Sequence, residues 1–458
     1  MYKYLVITTF AIFLTGCASY YQKNIVFMNT FESGNYEAAK NILDVNSKKM
    51  TKRENSKVLY DLNYATTAFY IGDNKTSVEY FKKADDYNET FSKNYGLEAL
   101  ALISNPMLKP YKLEYFECVL LHFYQALNFI QMNDYESAMV ECRRMNLELN
   151  KQADDFKRLD KPRYSQDAFG HYLMGILYET TKNYNDAFIA YRNAVEIYET
   201  NYSVLFGTAA SSYLKQALIR TAYKVGFVAE AKKYEEIYGI KYFKETKKQG
   251  RLIAFVLEGL SPIKSETSIN FVGVKGDGGA LSFVSEDGAY DFPILFNMCS
   301  DSERKTLSDL RSFRLALPEY KNRPNYRNKS NNNNILVDNS LYNIYEVENI
   351  EQIAHQSLSD RIWKELGESI IRVALKTAMA QYATKKNEYV GLLLNITNSI
   401  TEKADTRNWQ TLPAYIKLMD IPVEEGNHDV TYYSNGNQYK LNIIVKAGET
   451  SFAIIKSY

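Results

Sequence analysis

Five times in its first half the chain repeats one pattern: an apolar helix-like stretch, a turn, and a second stretch opened by a small residue. The clearest copy runs Tyr172-Leu173-Met174-Gly175-Ile176-Leu177-Tyr178, then Lys182-Asn183-Tyr184, then Ala187, Tyr191 and Ala194. Gly175, Ala187 and Ala194 leave room where two antiparallel helices cross, and Tyr178 and Tyr191 fill the gaps beside them. Another copy reads Ala126, Phe129, Asn133-Asp134-Tyr135, Ala138, Cys142 and Met145. Looser copies turn at Gly34-Asn35-Tyr36 before Ala39 and Leu43, at Gly72-Asp73 before Ser77, Phe81 and Ala84, and at Gly226-Phe227 before Ala231 and Tyr238. A hairpin of this kind cannot bury its apolar face alone, so the pattern requires stacked neighbours.

The spacing of small, aromatic and turn residues resembles the tetratricopeptide (TPR) repeat. The equivalent small positions 39, 77, 138, 187 and 231 are 38, 61, 49 and 44 residues apart. All four gaps exceed the repeat's usual period of about 34. The hairpins therefore carry longer helices or loops, with the largest insertion around Asn105-Pro106 and Lys109-Pro110. The 39 Tyr and 23 Phe residues suit such packing, because a tyrosine buries its ring while its hydroxyl reaches a polar partner.

Near Lys248-Gln249-Gly250 the apolar period changes from helical to alternating. Arg251 to Gly259 is a β-rich run, followed by strands at Ile269 to Val274 and Ala280 to Val284 joined by Lys275-Gly276-Asp277-Gly278-Gly279. That glycine cluster lacks a following Lys-Ser/Thr and opens no helix, so it reads as a hairpin turn rather than a phosphate loop. A strand from Ser312 to Leu317 stops at Pro318, and residues 322–334 form a polar loop. An amphipathic helix is expected over 353–382, with Ile362, Leu366, Ile370, Val373 and Leu375 against a sheet, and a second over 389–402. Strands near 414–418, 429–433, 439–445 and 451–455 finish the chain, with hairpins expected at the turns Asn435-Gly436 and Ala447-Gly448. The fold expected is α + β: a TPR-like helical solenoid over 18–247, then a β-rich α+β domain over 248–458. The Lys-rich run 241–248 reads as the junction, a place where few contacts should cross.

Asp405-Thr406-Arg407, Trp409 and Leu412-Pro413, with the hairpins after them, resemble the C-terminal signature of an uncharacterised family of bacterial outer-membrane lipoproteins with a TPR-like N-terminal half. Glu258-Gly259-Leu260-Ser261-Pro262 is similar to that family's strand end. The resemblance implies an envelope location and this architecture, and no reaction. Read as residues, Asp405, Arg407 and Trp409 either staple the helix to the last sheet or form a recognition corner for a glycan or a peptide carboxylate.

At the other end, Lys3, an apolar run and Leu14-Thr15-Gly16-Cys17 read as a lipoprotein signal whose cleavage leaves acylated Cys17 as the mature N-terminus. Ala18 after it favours the outer membrane, facing the periplasm. Lys plus Arg is 55 against 54 for Asp plus Glu, which excludes a broad basic field for nucleic acid. Cys118 and Cys142 fall 15 and 9 residues from the turn at Asn133, an offset of about 9 Å along a helix axis, so they should stay unpaired.

Catalytic equipment is scarce. His122 and His171 sit at helix-packing positions, and His355 and His428 read as solvated. HExxH, GxSxG and paired-cysteine metal spacings are absent, and Glu424-Glu425 flanks a turn. The chain is expected to be a non-enzymatic envelope adaptor without a cofactor. It would be held to the membrane by lipid and would bind a protein partner in the concave face of its repeats, in envelope or cell-wall assembly. A glycan-binding or hydrolytic role for the C-terminal half is the alternative, and any small-molecule ligand stays open.

Overall fold

The computed structural model describes residues 19–51, 56–90, 106–155, 164, 166–275, 281–288, 290–294, 312–323, 332–386 and 403–457. Cys17, Cys299, the turn glycines 276–279 and the helix expected at 389–402 lie outside the described residues.

The helical half is built from hairpins. After a short α1 (Tyr20–Lys23) come α2 (Ile25–Glu32) with α3 (Tyr36–Thr51), α4 (Lys57–Ile71) with α5 (Asn74–Glu89), and α6 (Tyr115–Gln131) with α7 (Tyr135–Asp155). Next are α8 (Ala168–Thr180) with α9 (Tyr184–Ile197), a π-helical turn (Tyr198–Tyr202), α10 (Ser203–Phe206), and α11 (Ser212–Val225) with α12 (Val228–Tyr238). Each expected turn contains a residue with positive φ: Gly34 (78°), Gly72 (94°), Asn133 (58°), Lys182 (62°) and Gly226 (95°). A left-handed residue there ends one helix and redirects the chain into the next. Ala39, Ser77, Ala138, Ala187 and Ala231 are all fully buried. At Gly175 an added Cβ would lie 2.4 Å from the Tyr191 ring, which is why only glycine fits that crossing. Tyr191 and Ala194 are likewise buried, whereas Tyr178 is partly exposed and its hydroxyl accepts from Arg143 of the preceding hairpin. The chain is thus a TPR-like helical solenoid followed by a β-rich α+β half. Among the described residues no helix is long and apolar enough to cross a membrane.

Among the described residues, the second half contains three four-stranded sheets and one long helix. β1 (Gln249–Glu258) pairs antiparallel with β9 (Tyr415–Glu424) and parallel with β12 (Thr450–Ser457), and β8 (Tyr345–Asn349) closes the other edge. The second sheet is ordered β11 (Asn437–Val445), β10 (Gly426–Ser434), β6 (Asn334–Val337), β7 (Ser340–Asn343). The third is ordered β4 (Asp291–Ile294), β3 (Leu281–Ser285), β2 (Ile263–Lys275), β5 (Ser312–Lys321). Leu366 and Ile370 of α13 (Ile350–Lys386) pack on Phe271, Phe283, Leu315 and Leu317 of that sheet.

β1 explains why its sequence is apolar without interruption. Ile253, Phe255 and Leu257 enter one core with the solenoid, while Leu252, Ala254 and Val256 enter a second core with β6, β9, β10 and β12. A strand buried on both faces has no polar side to show.

Four expectations need correction. β11 and β12 do not pair as a hairpin across Ala447-Gly448, because the chain there leaves the second sheet and β12 pairs parallel with β1 in the first. β5 continues through Pro318 to Lys321, because β5 is a sheet edge and an edge strand needs no donor on its outer side. The polar loop gives way at Asn334 to β6, which turns through Asp338 (φ 49°) and Asn339 (φ 66°) into β7. The largest correction concerns the junction at 241–248. The halves are not sparsely joined, since one hydrophobic core runs from Tyr20 and Phe31 through Tyr124 and Leu177 to Phe255, Trp409 and Ile454.

Candidate functional site

The first helix of each hairpin carries the inner face of the solenoid. In α4, 13 of 15 residues are buried and in α6, 14 of 17, whereas α5 buries 4 of 16 and α12 only Ala231. A helix buried nearly all round needs a partner on both sides. Neighbouring hairpins supply one side and the C-terminal half supplies the other.

The part that enters deepest is the irregular segment 403–412, which includes the expected recognition corner. Arg407 grips Asp405 in a bidentate pair, Nε to Oδ1 at 2.9 Å and Nη2 to Oδ2 at 2.6 Å. Its Nη1 donates to the Lys109 carbonyl at 2.9 Å, and the guanidinium lies 5.4 Å from the Tyr111 ring centre. Burial alone would raise the Asp405 carboxyl, but Arg407 beside it holds it down at about 2. The Trp409 N–H donates to Glu117 Oε1 at 2.7 Å, and its indole Nε1–H reaches Thr66 Oγ1 at 3.1 Å and Thr411 Oγ1 at 2.9 Å. The indole packs on Phe81 and Tyr124, each with ring centres 5.7 Å away. Thr411 then donates to Asn63 Oδ1 on α4 at 3.0 Å, and the N–H of Tyr20 donates to Thr406 Oγ1 at 3.1 Å. With Arg407 1% exposed and Trp409 0%, neither side chain is offered to a glycan or peptide. The recognition reading is overturned, because the corner's binding groups are spent on the solenoid.

Three clusters of buried ionisable groups line the same seam. In the first, Arg220 of α11 donates to Glu179 of α8 at 2.7 and 2.9 Å, and Arg251 of β1 bridges Glu179 Oε2 (2.7 Å) and Asp420 Oδ1 of β9 (2.5 Å). Tyr191 OH, from the repeat's own packing set, also donates to Glu179 at 3.0 Å. Burial disfavours the Glu179 charge, yet Arg220 and Arg251 hold its carboxyl far below the usual range. In the second, Glu114 at the N-cap of α6 is held by Lys264 (3.1 Å) and Arg361 (2.5 Å), which keep it ionised despite burial. One turn on, Glu117 meets no cation among the described residues; it accepts from Trp409 N, Glu114 N and Tyr111 OH, and burial followed by the Glu114 charge pushes its carboxyl up. In the third, Tyr202 OH donates to Glu348 Oε1 at 2.7 Å and burial raises this carboxyl strongly. Charges buried in this way are stable only when paired and hydrogen-bonded, and removing one partner typically costs about 3–5 kcal/mol.

The histidines divide differently from expectation. His122 is buried, Nδ1 lying 2.7 Å from Glu141 Oε2. His171 is only partly buried and lines a cavity of about 220 Å³ with Gln166, Asn193, Glu196, Ile197 and Thr200. His355 is half-buried, 2.8 Å from Asn322 Oδ1. His428 is not in a turn but on β10, held between Asp338 Oδ2 (2.6 Å) and the Glu424 carbonyl (2.7 Å). Burial lowers its pKa, and the bond and charge of Asp338 together with the Glu424 carbonyl more than offset this, leaving it above the ordinary value. Cys118 and Cys142 are buried and unpaired, as their offset requires. Among the described residues no three His, Cys, Asp or Glu side chains converge as a metal site.

The sequence matches no family model and no curated protein. Among solved structures, the apo form of RapI is 18% identical with a TM-score of 0.35, covering 50% of this chain and 56% of that one. MamA (residues 41 to the end) from Desulfovibrio magneticus RS-1 is 12% identical with a TM-score of 0.30, over 47% of this chain and 89% of its own. The TPR-like repeats of a Podosopora anserina kinesin light chain are 12% identical with a TM-score of 0.31, over 47% and 91%.

Proposed function

We propose that this chain is a lipid-anchored envelope scaffold that binds a protein partner on the outward helices of its solenoid. The observation that carries the reading is the occupied inner face. A foreign segment would have to displace Trp409 and break the Glu179–Arg251–Asp420 bridge before it could enter. That corrects the expectation of a concave docking groove and leaves the second helices as the available repeat surface. These helices expose Val45, Val140, Leu147, Ile189 and Ile237. Exposed apolar side chains presented on several outward helices are the raw material of a helical-face interface.

The anchor is supported by Leu14-Thr15-Gly16-Cys17 and Ala18, which favour acylation of Cys17 and the periplasmic face of the outer membrane. Cys17→Ser should leave the precursor uncleaved and without a fatty-acid label; persistent labelling refutes it. For the partner, a photo-crosslinking amino acid placed at Val140, Leu147 or Ile189 in living cells should capture one protein as a discrete adduct. Adducts from Leu341 or Ile444 of the second sheet, with none from the three helix positions, would move the interface to the C-terminal half.

A further inference from the structure

We propose that the cavity between the start of α8 and the end of α9 is a binding site for a small aliphatic amine, whose ammonium group is received by Glu196. The site depends on neither the lipid anchor nor the protein partner. Its walls are Gln166, His171, Asn193, Glu196, Ile197 and Thr200, around a space of about 220 Å³. Drug-sized ligands occupy about 300–1,000 Å³, so this space suits something smaller.

The walls follow from helical spacing. Asn193, Glu196, Ile197 and Thr200 stand at i, i+3, i+4 and i+7, one face of α9 running into the π-helical turn, and His171 of α8 lines the same space. Within that turn Thr200 leaves helical geometry (φ −85°, ψ −121°), and π-helical turns are frequent at functional sites. The frame is held firmly. Tyr198 OH donates to the Val347 carbonyl at 2.6 Å and Tyr202 OH to Glu348 Oε1 at 2.7 Å, which ties the turn to β8. Beside Gln166, Asp167 caps α8 by accepting from the Gly170 N–H at 2.6 Å.

The polar groups on this frame are uncommitted. Gln166, His171, Asn193 and Glu196 make no side-chain hydrogen bond or ion pair among the described residues. Thr200 spends its hydroxyl hydrogen on the Ile197 carbonyl at 2.9 Å, which leaves its oxygen only lone pairs to offer. Burial lowers the His171 pKa, so its ring is uncharged at neutral pH and keeps one acceptor nitrogen. Glu196 is then the one charged group among the six residues. An ammonium brings three N–H donors and no acceptor to such a lining, whereas a carboxylate or phosphate would meet Glu196 with no cation beside it.

The test is a titration of the full chain carrying ring-labelled histidine, with the His171 resonance identified by its loss in His171→Gln. Ethanolamine, ethylene glycol and glycolate are probes of nearly equal size and different charge. Ethanolamine should move the His171 resonance saturably and leave those of His122, His355 and His428 in place, and the other two probes should move none. Glu196 is exposed, so Glu196→Gln should keep the urea midpoint while weakening ethanolamine about tenfold or more, the loss of one charge-assisted bond. An equal response to ethylene glycol would make the site a polyol pocket, and a response to glycolate would reverse its polarity. Either result overturns the proposal, as does no response to ethanolamine or full ethanolamine affinity in Glu196→Gln.

Discussion

Trp409 is where the two halves depend on each other most, and a graded truncation there tests the shared core. Replacing a fully buried Trp by Ala costs about 3–5 kcal/mol in lost burial and residual cavity. The two ring contacts, to Phe81 and Tyr124, carry about 0.5–1.5 kcal/mol each beyond area. Thr66 and Thr411 would also lose the indole donor, and a buried polar group left unsatisfied costs about 1–3 kcal/mol. These terms overlap, and a net loss of about 5 kcal/mol for Trp409→Ala is comparable with the lower end of whole-protein stability. Trp409→Phe keeps most of the ring and loses the donor, so about 2 kcal/mol is expected. Urea unfolding followed by far-UV circular dichroism should show one transition in each variant, its midpoint falling in the order wild type, Phe, Ala. If the helical signal instead melts at the wild-type midpoint in Trp409→Ala while only the sheet signal shifts, the halves have separate cores and the reasoning fails.

Gly175→Ala drives a methyl to 2.4 Å from Tyr191, whose hydroxyl is tied to Glu179 and Arg251, so the ring cannot step aside freely. A loss of about 1–3 kcal/mol is expected, and an unchanged urea midpoint would falsify the close crossing of α8 and α9. Asp61 on α4 is buried, and that burial, opposed only in part by Lys57 and Lys83, raises its carboxyl to about 6. The folded state therefore holds a proton that the unfolded chain has released, and stability falls as pH rises from about 4 to 6, then levels off. Asp61→Asn should abolish that share of the decline, on the order of 3 kcal/mol; parallel wild-type and variant curves from pH 4 to 7 would contradict it. Proteolytic nicking within 241–248 should leave the two fragments co-eluting in gel filtration, since the core and the Glu179–Arg251 bridge span the cut. Release of a separately folded helical fragment would restore the picture of two loosely joined domains.

The solenoid was legible because its signal is local. Turn, small and aromatic residues lie within about twenty positions of one another, and steric demand at a helix crossing admits few substitutes for Gly175 or Ala187. The hairpin at Asn435-Gly436 was legible for the same reason, and both residues adopt the positive φ that such a turn requires. The β6–β7 hairpin was missed although Asp338-Asn339 offers the same chemistry, because its strands are only four residues each and the asparagine run before them reads as loop. The filled inner face could not be read at all. Arg251, Glu179 and Asp420 are 72 and 169 residues apart along the bonded pairs, and nothing in local periodicity marks them as partners. One cue was available: α4 and α6 are apolar or uncharged around most of their circumference, which a groove open to water would not tolerate.

That cue also bears on how the seam is made. Apolar contact between a sheet and a row of helices is non-directional, and it would permit several registers of β1 along the inner face. The polar contacts permit one. Glu179 faces Arg251 rather than its neighbours, Asn63 and Thr66 meet Thr411 and Trp409, and Glu114 meets Lys264 and Arg361. Shifting β1 by one residue would turn Arg251 and the Ile253, Phe255 and Leu257 set to the opposite face. It would leave Glu179 without one arginine and place the smaller Leu252, Ala254 and Val256 set against the helices. The buried charges add little net stability over a well-packed apolar seam, but each misplacement leaves a desolvated charge unpaired at a cost of several kcal/mol. Position along the solenoid is therefore fixed by what the wrong registers cost, and the outward helices are left as the surface whose occupancy the fold does not already decide.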